Sequence, residues 1–170
     1  MGQEDSDGAD TTSRITGLLG SLHSADKQVR TRAAVDLAAI GSPAVPSLIA
    51  TLRDSRWEVR YRAAEALGQI EDPLVCRALT RMLEDPRDHV RYMAAKGLGL
   101  RRCPAAVAGL CRALEDENEY VRRIAAVSLD AIGDPGATPH LRDRLAEETA
   151  PSVRDAIVQA CRRLEERPRT

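Results

Sequence analysis

The chain has one tryptophan, three tyrosines and no phenylalanine. Trp57, Tyr61, Tyr92 and Tyr120 all lie within two residues of a Val-Arg dipeptide, and His89 falls in the same window. Tyr and Trp are common anchors of binding surfaces, because a ring offers a large rigid contact area together with a polar tip. Arg62 and Arg123 flank these rings, and Glu65 and Lys96 follow further along the same segments. Residue types in this arrangement point to recognition rather than bond making. They describe a mixed polar and apolar groove suited to a peptide, a helix or a loop of another protein.

Catalytic patterns are missing. His23, His89 and His140 are far apart in sequence, and no Gly-x-Ser-x-Gly, P-loop or Gly-x-Gly-x-x-Gly motif occurs. No catalytic residue, metal ligand or cofactor is therefore assigned. Cys76, Cys103, Cys111 and Cys161 have no Cys-x-x-Cys spacing and sit mostly among apolar residues. They are expected to act as small hydrophobes rather than as a disulfide or metal set.

The charges exclude further classes. Arg outnumbers Lys by 23 to 2, but acidic residues total 26 and the formal net charge is -1. Nothing pulls the whole chain toward nucleic acid or an anionic membrane. No run of about 18 apolar residues is present. Gln3, Glu4, Asp5, Asp7 and Asp10 give the N-terminus the wrong character for a signal peptide. The expectation is a cytoplasmic monomer with a protein or peptide partner.

The elements that position these residues follow from a repeat. Val29-Arg30, Val59-Arg60, Val90-Arg91, Val121-Arg122 and Val153-Arg154 recur at steps of 30 to 32 residues. A period of this size marks a stack of supersecondary units, none of which can bury its apolar face alone. Leu18, Leu48, Leu79, Leu110 and Leu141 are equivalent, with Leu22, Leu52, Leu83, Leu114 and Leu145 four residues later. This places a first helix in every unit. After each repeat Val, apolar residues at the fourth and eighth places give a second helix: Ala33 and Leu37, Ala63 and Leu67, Ala94 and Leu98, Ala125 and Leu129, Ile157 and Cys161. Gly41-Ser42-Pro43, Glu71-Asp72-Pro73, Arg102-Cys103-Pro104 and Gly133-Asp134-Pro135 separate the units. Residues 1–10, small, polar and acidic, are expected to be a disordered lead-in, with Thr11, Thr12 and Ser13 capping the first helix. One domain is expected over 11–167, with units at about 11–41, 42–71, 72–102, 103–133 and 134–167. No segment alternates in the manner of a strand, so the fold class is all-α.

The run Asp54…Val59-Arg60…Ala63-Ala64…Ala66-Leu67-Gly68-Gln69-Ile70-Glu71-Asp72-Pro73, with its counterparts around Val29, Val90 and Val121, resembles the HEAT-like repeats. The likeness is to the short bacterial type called phycobilisome-lyase HEAT-like repeats. The resemblance implies a right-handed α-solenoid, a superhelix of about five stacked helical hairpins whose second helices line the concave side. The groove residues would then be Trp57, Tyr61, Arg62, Glu65, His89, Tyr92, Lys96, Tyr120 and Arg123. It also implies that each repeat Arg pairs with an acidic residue of the turn before it. Asp54, Asp85, Asp116 and Glu148 lie six residues before Arg60, Arg91, Arg122 and Arg154, whereas Ser24 stands six before Arg30. These residues form a structural ladder that holds helix geometry and register. The last unit departs from the pattern at Ile157-Val158 and Cys161-Arg162-Arg163, and its polar outer side reads as a terminal cap. The function implied is a non-catalytic scaffold or adaptor. The alternative is a lyase-like or chaperone protein that handles a tetrapyrrole. Nucleic-acid binding, by analogy with HEAT-like alkylated-base glycosylases, conflicts with the charge balance.

Overall fold

The computed structural model describes residues 4–166, and all regular structure among them is helical. Ten α-helices follow one another: α1 (Glu4–Ser21), α2 (Lys27–Ile40), α3 (Val45–Thr51), α4 (Trp57–Gln69), α5 (Pro73–Arg81), α6 (Asp88–Leu100), α7 (Val107–Ala113), α8 (Glu119–Ile132), α9 (Thr138–Glu147) and α10 (Pro151–Glu166). Short 3-10 turns lead into α3, α7 and α9, and another follows α5. Helix α1 begins at Glu4, so residues 4–10, expected as a disordered lead-in, are helical, and Thr12 lies inside the helix, where its Oγ1 donates to Gly8 O at 2.9 Å. Residues 1–3 of that lead-in lie outside the described residues. No single helix among the described residues is long and apolar enough to cross a membrane.

The helices divide into two compact units, one up to Val75 and the other from Cys76. In the first unit α1 pairs with α2, α3 pairs with α4, and α2 packs on α4. In the second, α7 pairs with α8 and α9 with α10, while α6 packs on α8 and α8 on α10. Stacking second helix on second helix is the step that buries each hairpin's apolar face. The repeat leucines Leu48, Leu79, Leu110 and Leu141 are fully buried, as are Leu37, Leu67, Leu98 and Leu129. Val59, Val90, Val121 and Val153 are at most 1% exposed, but Val29, which has no hairpin before it among the described residues, is 42% exposed.

Small residues set the close approach of α6 and α8. Ser128 is buried and its Oγ donates to Ala95 O at 2.8 Å. A Cβ on Gly99 would stand 2.4 Å from Ser128 Oγ and 2.9 Å from its Cα, so only glycine fits there. Unit boundaries use backbone that L side chains resist: Gly41 and Gly133 have φ of 79° and 82°. Arg102, at the matching boundary, takes φ 47° with a side chain in place.

The repeat arginines are wired differently from the pairing expected within each turn. Each repeat Arg uses Nη1 to bind the backbone of its own turn, not the carboxylate there. The acceptor six residues back is Ser24 O at 2.7 Å for Arg30, Asp54 O at 2.9 Å for Arg60, Asp85 O at 3.0 Å for Arg91, Asp116 O at 2.8 Å for Arg122 and Glu148 O at 2.8 Å for Arg154. In the second unit the other edge of the guanidinium reaches the next hairpin. Arg91 Nε and Nη2 donate to Asp116 Oδ2 and Oδ1 at 2.6 and 2.9 Å. Arg122 Nε and Nη2 donate to Glu148 Oε2 and Oε1 at 2.7 and 3.0 Å. The acids also cap their own turns: Asp54 accepts from Arg56 N at 2.8 Å, Asp85 from Arg87 N at 2.9 Å and Asp116 from Asn118 N at 2.9 Å. Glu148 accepts from Thr149 N and Ala150 N at 3.0 and 2.9 Å, and its side chain is fully buried. A planar fork meeting a carboxylate through two parallel bonds is the strongest form of such a pair.

The cysteines also differ from expectation. Cys76 and Cys103 form a disulfide, Cα–Cα 5.7 Å, that ties α5 to the segment after α6. The two cysteines sit 27 residues apart, and only folding brings α5 beside that boundary. Cys111 and Cys161 are free. Alkylation of the denatured protein without reductant should therefore add two groups, and four after reduction. Intact mass reads the number, and four groups without reductant would show the bond absent.

Bonding to Arg122, then the backbone N–H of Ala150 and the Arg144 side chain, hold the Glu148 carboxyl down at about 2, below the usual value, against the opposing effect of burial. The folded state thus binds this proton less readily than the unfolded chain. Stability from Glu148 is complete above about pH 4.3, the ordinary Glu value, and is lost as pH falls toward 2. Glu148→Gln should cost about 3 kcal/mol at neutral pH, the order of such a shift, and flatten the fall of melting temperature between about pH 4.3 and 2. Thermal melts across that range check both effects.

Candidate protein-binding face

In the first unit, Trp57 opens α4 and is half-buried, as is Tyr61 one turn later. Arg62, expected to flank the rings in solvent, is only 8% exposed. Its guanidinium carbon lies 5.1 Å from the Tyr61 ring centroid and its Nη1 donates to the Glu65 carboxylate. Burial is affordable because both the ring face and the carboxylate compensate the charge. Arg62 therefore fixes Tyr61 and Glu65 on α4 and is not a free cation for a partner. Beside them α2 and α4 enclose a recess of about 390 Å³, lined by Ala34, Val35, Ala38, Ala39, Glu65, Ala66 and Gln69. Its alanines keep the two helices low, and Val35 stands 55% exposed at the rim. Sequence reasoning passed over Val35; the available signal was an apolar side chain off the buried stripe, six residues after Val29.

In the second unit, α6 carries Tyr92, half-buried, and Lys96, exposed. His89 is exposed at the start of α6, with Nδ1 2.7 Å from Asp88 Oδ1. That hydrogen bond is the main reason the Asp88 carboxyl lies below its usual value, although desolvation opposes it. Asp88 Oδ2 also accepts from Asn118 Nδ2 of the next turn. Tyr120, expected as a groove residue, is 59% exposed at the start of α8. Asn118 caps that helix by accepting from Tyr120 N at 2.9 Å, which places the ring in solvent just beyond the ladder. Arg123 is half-buried and Val127 43% exposed. These two line a recess of about 240 Å³ between α8 and α10 with Asp130, Ser152, Asp155 and Arg163. Arg163 Nη1 donates to Asp130 Oδ2 at 2.6 Å across it. The second helices of this unit thus offer an exposed ring, an exposed valine and both signs of charge.

A further recess of about 450 Å³ lies between the first helices α7 and α9 and holds Cys111, Arg112, Glu115, His140 and Asp143. Burial, and secondarily the Asp134 charge, push the Cys111 thiol up, so it stays protonated and is a poor nucleophile. Among the described residues, no group of three or more His, Cys, Asp or Glu side chains is placed to hold a metal ion.

Comparison with known proteins agrees with this architecture. The HEAT-repeat family model matches residues 15–91 and 82–162. No curated protein matches in sequence. Among solved structures, the chain is similar to one from the CpcE–CpcF complex of phycocyanin lyase from Nostoc sp. PCC7120, at 23% identity and TM-score 0.79 over 88% of this chain and 98% of that one. A designed armadillo repeat protein in complex with the peptide (KR)4 matches at 16% identity and TM-score 0.60, over 94% of this chain and 92% of that one. Computationally designed armadillo repeat proteins for modular peptide recognition match at 17% identity and TM-score 0.61, over 88% of this chain and 81% of that one. Identities at this level show the fold, which is that of α-solenoid repeat proteins, and the family match extends over nearly all the described residues. The chain belongs to the HEAT-repeat family.

Proposed function

We propose that the protein is a non-catalytic interaction module, a scaffold or adaptor, that binds a protein or peptide through the faces of its second helices. The observation that carries this reading is the exposure of Tyr120 and Val127 on α8 at 59% and 43%, next to the mixed-charge recess against α10. An exposed ring, an exposed aliphatic side chain and flanking arginines form the composition of an interface centre rather than of an ordinary solvated helix face. Trp57, Tyr61 and Glu65, braced by Arg62, with Val35 at the edge of the α2–α4 recess, make a corresponding surface in the first unit. Tyr92, Lys96, His89 and Arg123 complete the surface of the second. The peptide complex of a designed repeat protein of similar fold supports this mode of use. The Cys76–Cys103 disulfide favours an oxidising compartment over the cytoplasm expected from sequence, since such bonds persist there.

A second reading has one observation in its favour, the likeness to a chain of a phycocyanin lyase complex over almost the whole of both chains. On that reading the protein handles a tetrapyrrole, and the α2–α4 recess is the apolar place for it.

Tyr92→Ala with Tyr120→Ala should lower capture of partners from a lysate of the native host at least tenfold, as loss of interface aromatics does, without changing the melting temperature by more than about 4 °C. Quantitative mass spectrometry of the captured material reads the change, and undiminished capture overturns the interaction reading. Mixing the protein with excess bilin separates the alternative. A shifted visible absorption band supports tetrapyrrole handling, and an unaltered spectrum removes it.

A further inference from the structure

In the second unit, Arg91 grips Asp116 and Arg122 grips Glu148, each through Nε and Nη2. The corresponding pair in the first unit is Arg30 on α2 and Asp54 in the turn between α3 and α4. That rung is not made. Arg30 Nη1 donates to Ser24 O and Ala25 O at 2.7 and 2.8 Å, but its Nε is buried and meets no acceptor. Asp54 is engaged elsewhere. Its Oδ1 accepts from Arg56 N at 2.8 Å, and its Oδ2 lies 3.4 Å from Nε2 of His23, in the turn between α1 and α2.

A buried guanidinium N–H without an acceptor is costly, more so than a neutral donor. The carboxylate that answers this N–H in the other two rungs sits here against an imidazole. At 3.4 Å and without a hydrogen bond, that attraction is Coulombic and lasts only while the ring carries its second proton. Histidine is the side chain that gains or loses charge between about pH 5 and 8. The ring is 48% exposed, so protons reach it from solvent. Other charges on the adjoining turns and helix ends do not take over the role of Asp54. Asp26 caps α2 by accepting from Gln28 N at 2.7 Å. Lys27, Arg53 and Arg56 are cations, and Glu58 lies inside the first turn of α4. Among the described residues, Asp54 is the one carboxylate paired with His23.

The seam itself has room to adjust. Arg30, Ala34 and Ala38 are spaced four apart and share a face of α2, as Arg91, Ala95 and Gly99 share one of α6. Gly99 is buried against Ser128, whereas Ala38 is half-buried and lines the recess between α2 and α4.

We propose that Asp54 shuttles between His23 and Arg30, so that the first hairpin is latched to the second under control of pH. With His23 charged, Asp54 stays at the imidazole and the rung is open. With His23 neutral, Asp54 turns to Arg30 Nε and Nη2 and the rung closes in the manner of Arg91 and Arg122. A neutral imidazole cannot compete with a guanidinium fork for a carboxylate. The latch is engaged above the titration of the ring and released below it. It stands apart from the reading of the aromatic faces, and its failure leaves that reading in place.

Nitrogen-15 NMR of the full chain reads the Arg30 Nε–H directly, its signal assigned by its loss in Arg30→Lys. Between about pH 5 and 8 the signal should move to the shift of the carboxylate-bound Arg122 Nε–H, with the same midpoint as the His23 ring protons. His23→Leu should hold it at the bound shift throughout. His23→Arg, which keeps a cation at that place at every pH, should hold it at the unbound shift. At the acid end, exchange of this proton with water should be about tenfold slower in His23→Leu than in the parent. Unchanged Arg91 and Arg122 Nε–H signals report that each variant keeps its fold. An Arg30 signal that ignores pH in the parent, or that moves equally in His23→Leu, overturns the proposal.

Discussion

The arginine after each repeat valine has two edges, and the stack depends on using them for different partners. Nη1 closes the turn of its own hairpin onto two backbone carbonyls. In Arg91 and Arg122, Nε and Nη2 hold the carboxylate that caps the turn of the next hairpin. The two bonds are geometrically coupled, because the guanidinium is planar and rigid. A hairpin turn that shifted relative to its neighbour would break one bond or the other. Apolar packing alone would be more forgiving: leucine and alanine stripes tolerate sliding by a helical turn, and a bidentate pair does not. The ladder raises the pKa of Arg91 and Arg122, chiefly through bonding to Asp116 and Glu148, so the charges persist at any physiological pH.

The same rigidity leaves side chains of the second helices free of structural duty. With the ladder on one side and the leucine core beneath, α8 needs neither Tyr120 nor Val127 for its own stability, and both are left in solvent. Arg62 is the contrasting case. It sits two residues past the ladder arginine Arg60, and its ring and carboxylate neighbours draw it inward. Its contribution is to hold Tyr61 and Glu65 steady, and a steady ring loses less entropy when a partner arrives.

Much of the fold was legible in the chain because the period is strict. Five Val-Arg pairs, the leucines at fixed offsets and the Pro at the boundaries locate nearly every helix to within a few residues. What was not legible depends on contacts between distant positions. The sequence groups the acids with the arginines, but spacing within one hairpin could not show that Asp116 and Glu148 answer the arginine of the preceding hairpin; that follows only once the second helices lie against one another. The disulfide was hidden for a similar reason, since nothing local links Cys76 to Cys103. Helix α1 extends further back than Thr11–Ser13 suggested. Of the residues proposed for binding, the rings stand out in the sequence by their rarity, whereas the burial of Arg62 and the exposure of Val35 needed the neighbouring helices.

The Cys76–Cys103 bond has a mechanical consequence. Repeat stacks pulled from their ends tend to give way hairpin by hairpin, each adding its full length to the extended chain. Here the 27 residues between the two sulfurs cannot enter the line of tension. At about 3.5 Å per residue, the oxidised protein would stretch some 90 Å less than the reduced one. The maximum reach of the chain under tension is therefore set by the redox state of one pair of thiols.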